Sequence, residues 1–240
     1  GCGDDPLAPS SSGGSTQRAA SGGFDSPEAA FEAEKKAQAD KDWGVHFDVY
    51  TPGSQDELVG TLAYTASIFG GMTGKKDEVQ AILKKHGIDE SMMPEKPSMT
   101  NMADMKAMME KAQEGQRKLA AAIKDKRAFY AEMAALMNDA EPGGAMDSRM
   151  QQAMENAKKA QANAKLVDVE ITGNSAVGKR EIVNSGSPMK VSVYFEKIDG
   201  SWYMRQPTME EAKKMGEEIG RAVAEKMKKD AAKKADADKN

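Results

Sequence analysis

Seven methionines crowd into "SMMPEKPSMTNMADMKAMMEKAQ": Met92, Met93, Met99, Met102, Met105, Met108 and Met109. Thioether sulfur is a soft ligand, and about three such atoms meeting at one point would favour Cu(I). Met102, Met105 and Met109 form the best trio, because spacings of three and four put side chains on one helix face. The same face can instead pack against another helix. Methionine is an adaptable core filler, and the chain holds 18 of them, so packing is the expected use. The two histidines are His46 and His86. A general base or metal ligand needs partners. Trp43, His46 and Tyr50 could line a pocket between sheet and helices, with Asp42 and Asp48 near in sequence. His86 lies in "KKHGI", where a cation suits a helix C-terminus. "FGGMTGKK" fails as a phosphate-binding loop: three residues, not four, separate Gly70 from Gly74, and Lys76 replaces the Ser or Thr due after Lys75. It reads as a Gly-rich turn. No Ser/His/Asp arrangement and no cofactor motif emerges, so no catalytic or cofactor-binding residue is assigned. The single cysteine, Cys2, excludes an internal disulfide and a multi-cysteine zinc site.

Elements must hold these side chains in place. "SPEAAFEAEKKAQADKDW" predicts a helix, with Ser26 as N-cap and Pro27 in the first turn. Ala30, Ala33 and Ala37 mark its inner face, with Phe31 at the edge; Glu32, Glu34, Lys35 and Lys36 supply the polar side. "SQDELVGTLAYTASIFGG" predicts a second helix, striped by Leu58, Leu62, Thr65 and Phe69. "KKDEVQAILKKHGI" predicts a third, with Val79, Ile82 and Leu83 apolar and Gly87 as its stop. A long helical hairpin spans about 100–164, with Gly115 as a candidate break and Leu119, Ile123, Tyr130, Met133 and Met137 as its buried stripe. From Leu166 the period changes to two. Val167, Val169 and Ile171 should share one face of a strand, and Val191, Val193 and Phe195 one face of another. Asp199-Gly200 is a hairpin signal, leading into the return strand "SWYMRQP". A last helix in "TMEEAKKMGEEIGRAVAEKMKK" carries Met215, Ile219, Val223 and Met227 at spacing four. The fold class is therefore α+β: helices packed on a four-stranded antiparallel sheet of about 165–206, with a long helical hairpin insertion and a C-terminal helix.

Composition bounds the partners. The apolar share is 39%, enough for a core but not along the whole length, and 30% of residues are charged. A net charge of −4 from 34 basic and 38 acidic residues, with 5% aromatics, argues against a nucleic-acid partner. Between residues 3 and 25 the only large apolar side chains are Leu7 and Phe24. So few do not offset the entropy of ordering, and residues 1–25 are expected to form a tether with a reach of about 25 Å. The domain is expected over 26–229 and a frayed polar tail over 230–240.

Gly1-Cys2, followed by Gly-Asp-Asp-Pro and a Ser/Gly tract, resembles the end of a bacterial lipobox, in which a small residue precedes an acylated cysteine. The resemblance implies lipid attachment at Cys2, a membrane as partner, and a domain on the periplasmic or extracellular side of the bacterial cell envelope. Several acyl chains give stable anchoring where one is marginal. A protein partner through the helical hairpin is also expected.

The order of elements, an early "SPEAAFEAEKKAQADKDW" helix and a late "IDGSWYMRQ" hairpin, resembles the nuclear transport factor 2-like superfamily over about residues 26–69 and 165–206. That resemblance implies a cone of helices closed by a curved sheet. The helical stretch from Lys75 to Lys165 has no counterpart in the simple family fold. The superfamily includes enzymes and binding modules, so resemblance alone does not choose between them.

Overall fold

The computed structural model describes residues 23–69, 74–92, 103–139, 159–184 and 187–221, together with helical positions 152, 155–156 and 224. The fold is α+β, with helices packed on a four-stranded antiparallel sheet. Helix α1 (Pro27–Ala39) starts as its sequence dictates: Ser26 is extended, its Oγ accepts the Ala29 N–H at 3.1 Å, and Pro27 occupies the first turn. A short helix, α2 (Trp43–Asp48), follows, with Asp42 Oδ1 accepting the Val45 N–H at 3.0 Å. Next come α3 (Pro52–Phe69), α4 (Lys76–Lys85), α5 (Ala103–Ala122) and α6 (Lys126–Asn138). Gly87, at φ +90°, ends α4 as expected. Gly115 breaks nothing. It lies inside α5, and the break falls at 123–125, where Asp125 caps α6 by accepting the Ala128 N–H at 3.0 Å.

Strands β1 (Lys165–Thr172), β2 (Ser175–Asn184), β3 (Ser187–Ile198) and β4 (Ser201–Arg205) form a meander in the order β1-β2-β3-β4. Asp199 and Gly200, at φ +50° and +85°, make the two-residue turn that brings Ile198 opposite Ser201. The outer edge of β4 is paired as well. Phe24 exchanges backbone hydrogen bonds with Trp202, and the 49–51 segment bonds to Met204 on both sides. Gly23 and Phe24, expected in the tether, are buried against the domain. A Cβ on Gly23 would lie 2.4 Å from Ser201 Cβ, and only glycine lets the chain approach the strand so closely. Residues 1–22 of the expected tether and the tail 230–240 lie outside the described residues.

Two buried clusters share Leu58 at their border. One joins α1 to the inner face of the sheet through Ala30, Phe31, Val49, Ala176, Phe195, Trp202 and Met204. The other joins α2 to α6 through Phe47, Val59, Ala63, Leu83, Leu119, Phe129 and Met133. Burial of each Phe contributes about 1.5–3 kcal/mol. Most of the expected hairpin stripe is buried: Leu119, Ile123 and Met133 fully, Tyr130 nearly so and Met137 in part.

Three facings differ from expectation. On α3 the buried row is Val59, Ala63 and Ala66, with Leu58 and Leu62 only partly buried. The small residues face α5 because the backbones nearly touch: a Cβ on Gly60 would lie 2.4 Å from the Gln116 carbonyl oxygen. On β1, Asp168 takes φ +52° and the register slips between Val167 and Glu170. This bulge puts Leu166 and Val169 together against the core and leaves Ile171 57% exposed. On α1, Glu34 is 3% exposed, turned inward and not to the polar side.

On β3, Phe195 is buried and Val191 and Val193 half-buried, as the alternation predicts, yet Ser192 and Tyr194 on the opposite face are buried too. A closing helix at residues 209–221 lies over that outer face. Thr208 and Glu211 form a reciprocal capping box at its start, with Thr208 N–H to Glu211 Oε2 at 2.8 Å and Glu211 N–H to Thr208 Oγ1 at 3.3 Å. Met215 and Ile219 are half-buried; Val223 and Met227 lie outside the described residues.

Candidate functional site

Helical spacing gathers one aromatic group. Trp43, His46, Phe47 and Tyr50 recur at intervals of three, four and seven, so α2 and the turn after it present them together. The rings of Trp43, Tyr50 and Tyr130 lie 5.8, 5.6 and 5.8 Å from that of His46, Tyr130 stacked nearly parallel to it from α6. The expected trio of Trp43, His46 and Tyr50 is therefore one physical cluster. It meets a charged pair that sequence reasoning missed. Glu34 Oε2 accepts from Arg180 Nη2 of β2 at 2.9 Å, and Glu34 Oε1 lies 3.7 Å from His46 Nε2. On the other side of the ring, His46 Nδ1 and Tyr130 OH share a hydrogen bond at 3.0 Å. The Arg180 guanidinium carbon sits 5.1 Å from the Phe31 ring centroid, and its Nε has no hydrogen-bond acceptor.

Both missed residues left a signal. Glu34 stands four after Ala30, on the apolar stripe of α1. Arg180 alternates with Ala176, Gly178 and Ile182 on the core face of β2.

The electrostatics follow from burial. Exclusion from water pushes the Glu34 carboxyl up, but His46 and the Arg180 guanidinium outweigh it and hold the group below the usual carboxylate range. Burial first, then the Glu34 charge, pushes the Tyr130 phenol up to about 12, and the same two causes raise Tyr50. A phenol, an imidazole and a carboxylate in line are the parts of a proton relay. Here they sit inside the domain: His46 is 7% exposed, and each of its ring nitrogens faces a protein group.

A cleft of about 350 Å³ lies elsewhere, between α1 and α2, lined by Phe24, Ala37, Asp40, Asp42, Val45 and Asp48 among others. Its carboxylates are engaged. Asp40 pairs with Lys36, Asp42 caps α2, and Asp48 accepts from Arg127 Nε at 3.1 Å. Asp42 and Asp48 thus serve other partners than His46. Among the described residues, no group of three or more His, Cys, Asp and Glu side chains is arranged to hold a metal ion.

His86 closes α4, as its position predicts. Its ring lies edge-on to Phe129 at 5.4 Å, and its Nε2 is 3.4 Å from Glu132 Oε2. Cys2 and Met102 lie outside the described residues, and of Met105 and Met109 only the helical backbone of α5 is described. Most of the turn "FGGMTGKK" also lies outside.

Comparison with protein families, with curated proteins and with solved structures finds no match.

Proposed function

We propose that this chain is a lipid-anchored protein of the bacterial cell envelope whose α+β domain acts as a non-enzymatic binding or scaffold module. The observation that carries the module reading is the inward commitment of the His46 cluster. Tyr130 bonds one ring nitrogen, Glu34 faces the other at 3.7 Å, Arg180 binds the other oxygen of Glu34, and four elements are braced at one point. A relay built for catalysis would present one of those atoms to substrate. The anchor reading rests on Gly1-Cys2 and the polar tract behind it. In this reading the anchor sets the domain beside a membrane, and the helical region of about 100–164 meets a protein partner.

The test is partitioning. The full precursor, expressed in its host, should fractionate with membranes and carry lipid label, and Cys2→Ser should move it to the soluble fraction. A freely soluble, unlabelled wild-type protein would refute the anchor.

A second reading, a small-ligand or enzymatic domain of the nuclear transport factor 2-like kind, draws support from the convergence of Trp43, His46 and Tyr50 between α2, α6 and β4. Under it, a ligand would enter by displacing the Trp43 indole, the partly buried member of the group.

A further inference from the structure

The two helices that cover the sheet are fastened by different forces. On the inner face, α1 is held by fully buried side chains, Ala30 and Phe31 against Phe195 and Ala176. On the outer face, no described residue of the closing helix 209–221 is buried. Its sheet-facing row reads Glu211, Met215, Glu218, Ile219, all half-buried, so two of its four inward positions are carboxylates. Each meets a cation rising from the sheet. Arg205 binds Glu211 through two parallel bonds of 2.7 Å. Lys179 Nζ lies 3.1 and 3.2 Å from the two Glu218 oxygens, and Ser192 Oγ adds a contact at 3.3 Å.

From this geometry we propose that helix 209–221 is a releasable strap, closed by the Arg205–Glu211 and Lys179–Glu218 pairs, whose opening uncovers the outer face of the sheet. The clasp is ionic and partly wetted, so added salt screens it while leaving apolar burial intact or strengthened. Beneath the strap lies Tyr194, buried while the strap is closed, with the Arg205 guanidinium 4.9 Å from its ring centroid. Its cross-strand neighbour Val177 is already 36% exposed. Opening therefore joins Tyr194 to Val177 in one apolar strip.

Amide hydrogen exchange on the whole chain tests this. Raising salt from about 0.05 M to about 1 M should speed exchange of the amides in 212–221 at least about fivefold, with those of α1 and β3 unchanged. Glu211→Gln with Glu218→Gln should give fast exchange at low salt and remove the salt response. Glutamine at 211 still completes the capping box, so the change removes the charge and not the helix start. The exchanged pair Lys179→Glu with Glu218→Lys should recover protection lost in either single variant. If the 212–221 amides are as protected as those of α1, or if salt or the double glutamine variant leaves their exchange unchanged, the strap is overturned.

Discussion

Glu34 and Arg180 meet at 2.9 Å in the interior, with 4% and 14% of their side chains exposed. A charge so placed is costly when alone and tolerable when paired. Glu34→Ala should therefore destabilise the domain by about 3–5 kcal/mol, because it strands the guanidinium over Phe31. Glu34→Leu combined with Arg180→Met should recover most of that loss, since an apolar pair of similar size removes both desolvation costs. Urea unfolding of the single and double variants checks this, and simple additivity of the two changes would contradict it. The pair also marks where reading by residue type fails. Charge assigned Glu34 to the polar side of α1, whereas position, four residues after Ala30, points inward. Its partner is 146 residues away, and although each residue's position points inward, no local pattern pairs the two. Trp43, His46 and Tyr50 were legible as a group because helical spacing alone brings them together.

At the scale of elements, α3 and α5 cross where Gly60 faces the Gln116 carbonyl. Alanine is favoured over glycine inside a helix by about 1 kcal/mol. At Gly60 the added methyl would meet backbone that cannot swing aside, an overpacking cost of about 1–3 kcal/mol. Gly60→Ala should thus lower the melting temperature. Gly216→Ala, in the closing helix with nothing within 4 Å of the new Cβ, should raise it. Equal shifts of the same sign would mean the α3–α5 contact has slack. The contrast explains which elements the sequence disclosed. Starts and stops are local chemistry, so Ser26-Pro27, Gly87 and Asp199-Gly200 were readable. The buried row of α3 was not, because a close neighbour selects Val59, Ala63 and Ala66 over the larger Leu58 and Leu62. The β1 bulge was not either, since alternation assumes an unbroken register and Asp168 interrupts it.

For the whole molecule, the perturbed groups bound a pH window. Five described carboxylates lie below their usual range. Asp89 and Glu114 are exposed and are lowered by neighbours in their own segments, Ser91 and Lys118. Three others tie elements together: Glu34, for the reasons above; Glu132, mainly through Lys85; and Glu211, held at about 2 mainly by Arg205. A depressed carboxylate contributes stability that is complete above its unfolded value of about 4.5 and fades as pH falls through the folded one. Tyr50 and Tyr130 are raised, so their contribution is complete below about 10 and fades as pH climbs beyond it. Melting temperature should be near its plateau between about pH 5 and about pH 9.5 and decline on both sides. Glu211→Gln should shrink the acid limb alone; an unchanged acid limb would remove Arg205–Glu211 from the account. The junction of Phe24 with Trp202 has a mechanical consequence. Tension on the chain ahead of Gly23 does not first reach the end of α1, which would fray turn by turn. It enters as shear across two backbone bonds, Phe24 N–H to Trp202 O at 3.1 Å and Trp202 N–H to Phe24 O at 2.7 Å. Those bonds share the strain and must yield together, so the pull passes into the edge of the sheet and the helix behind it is spared.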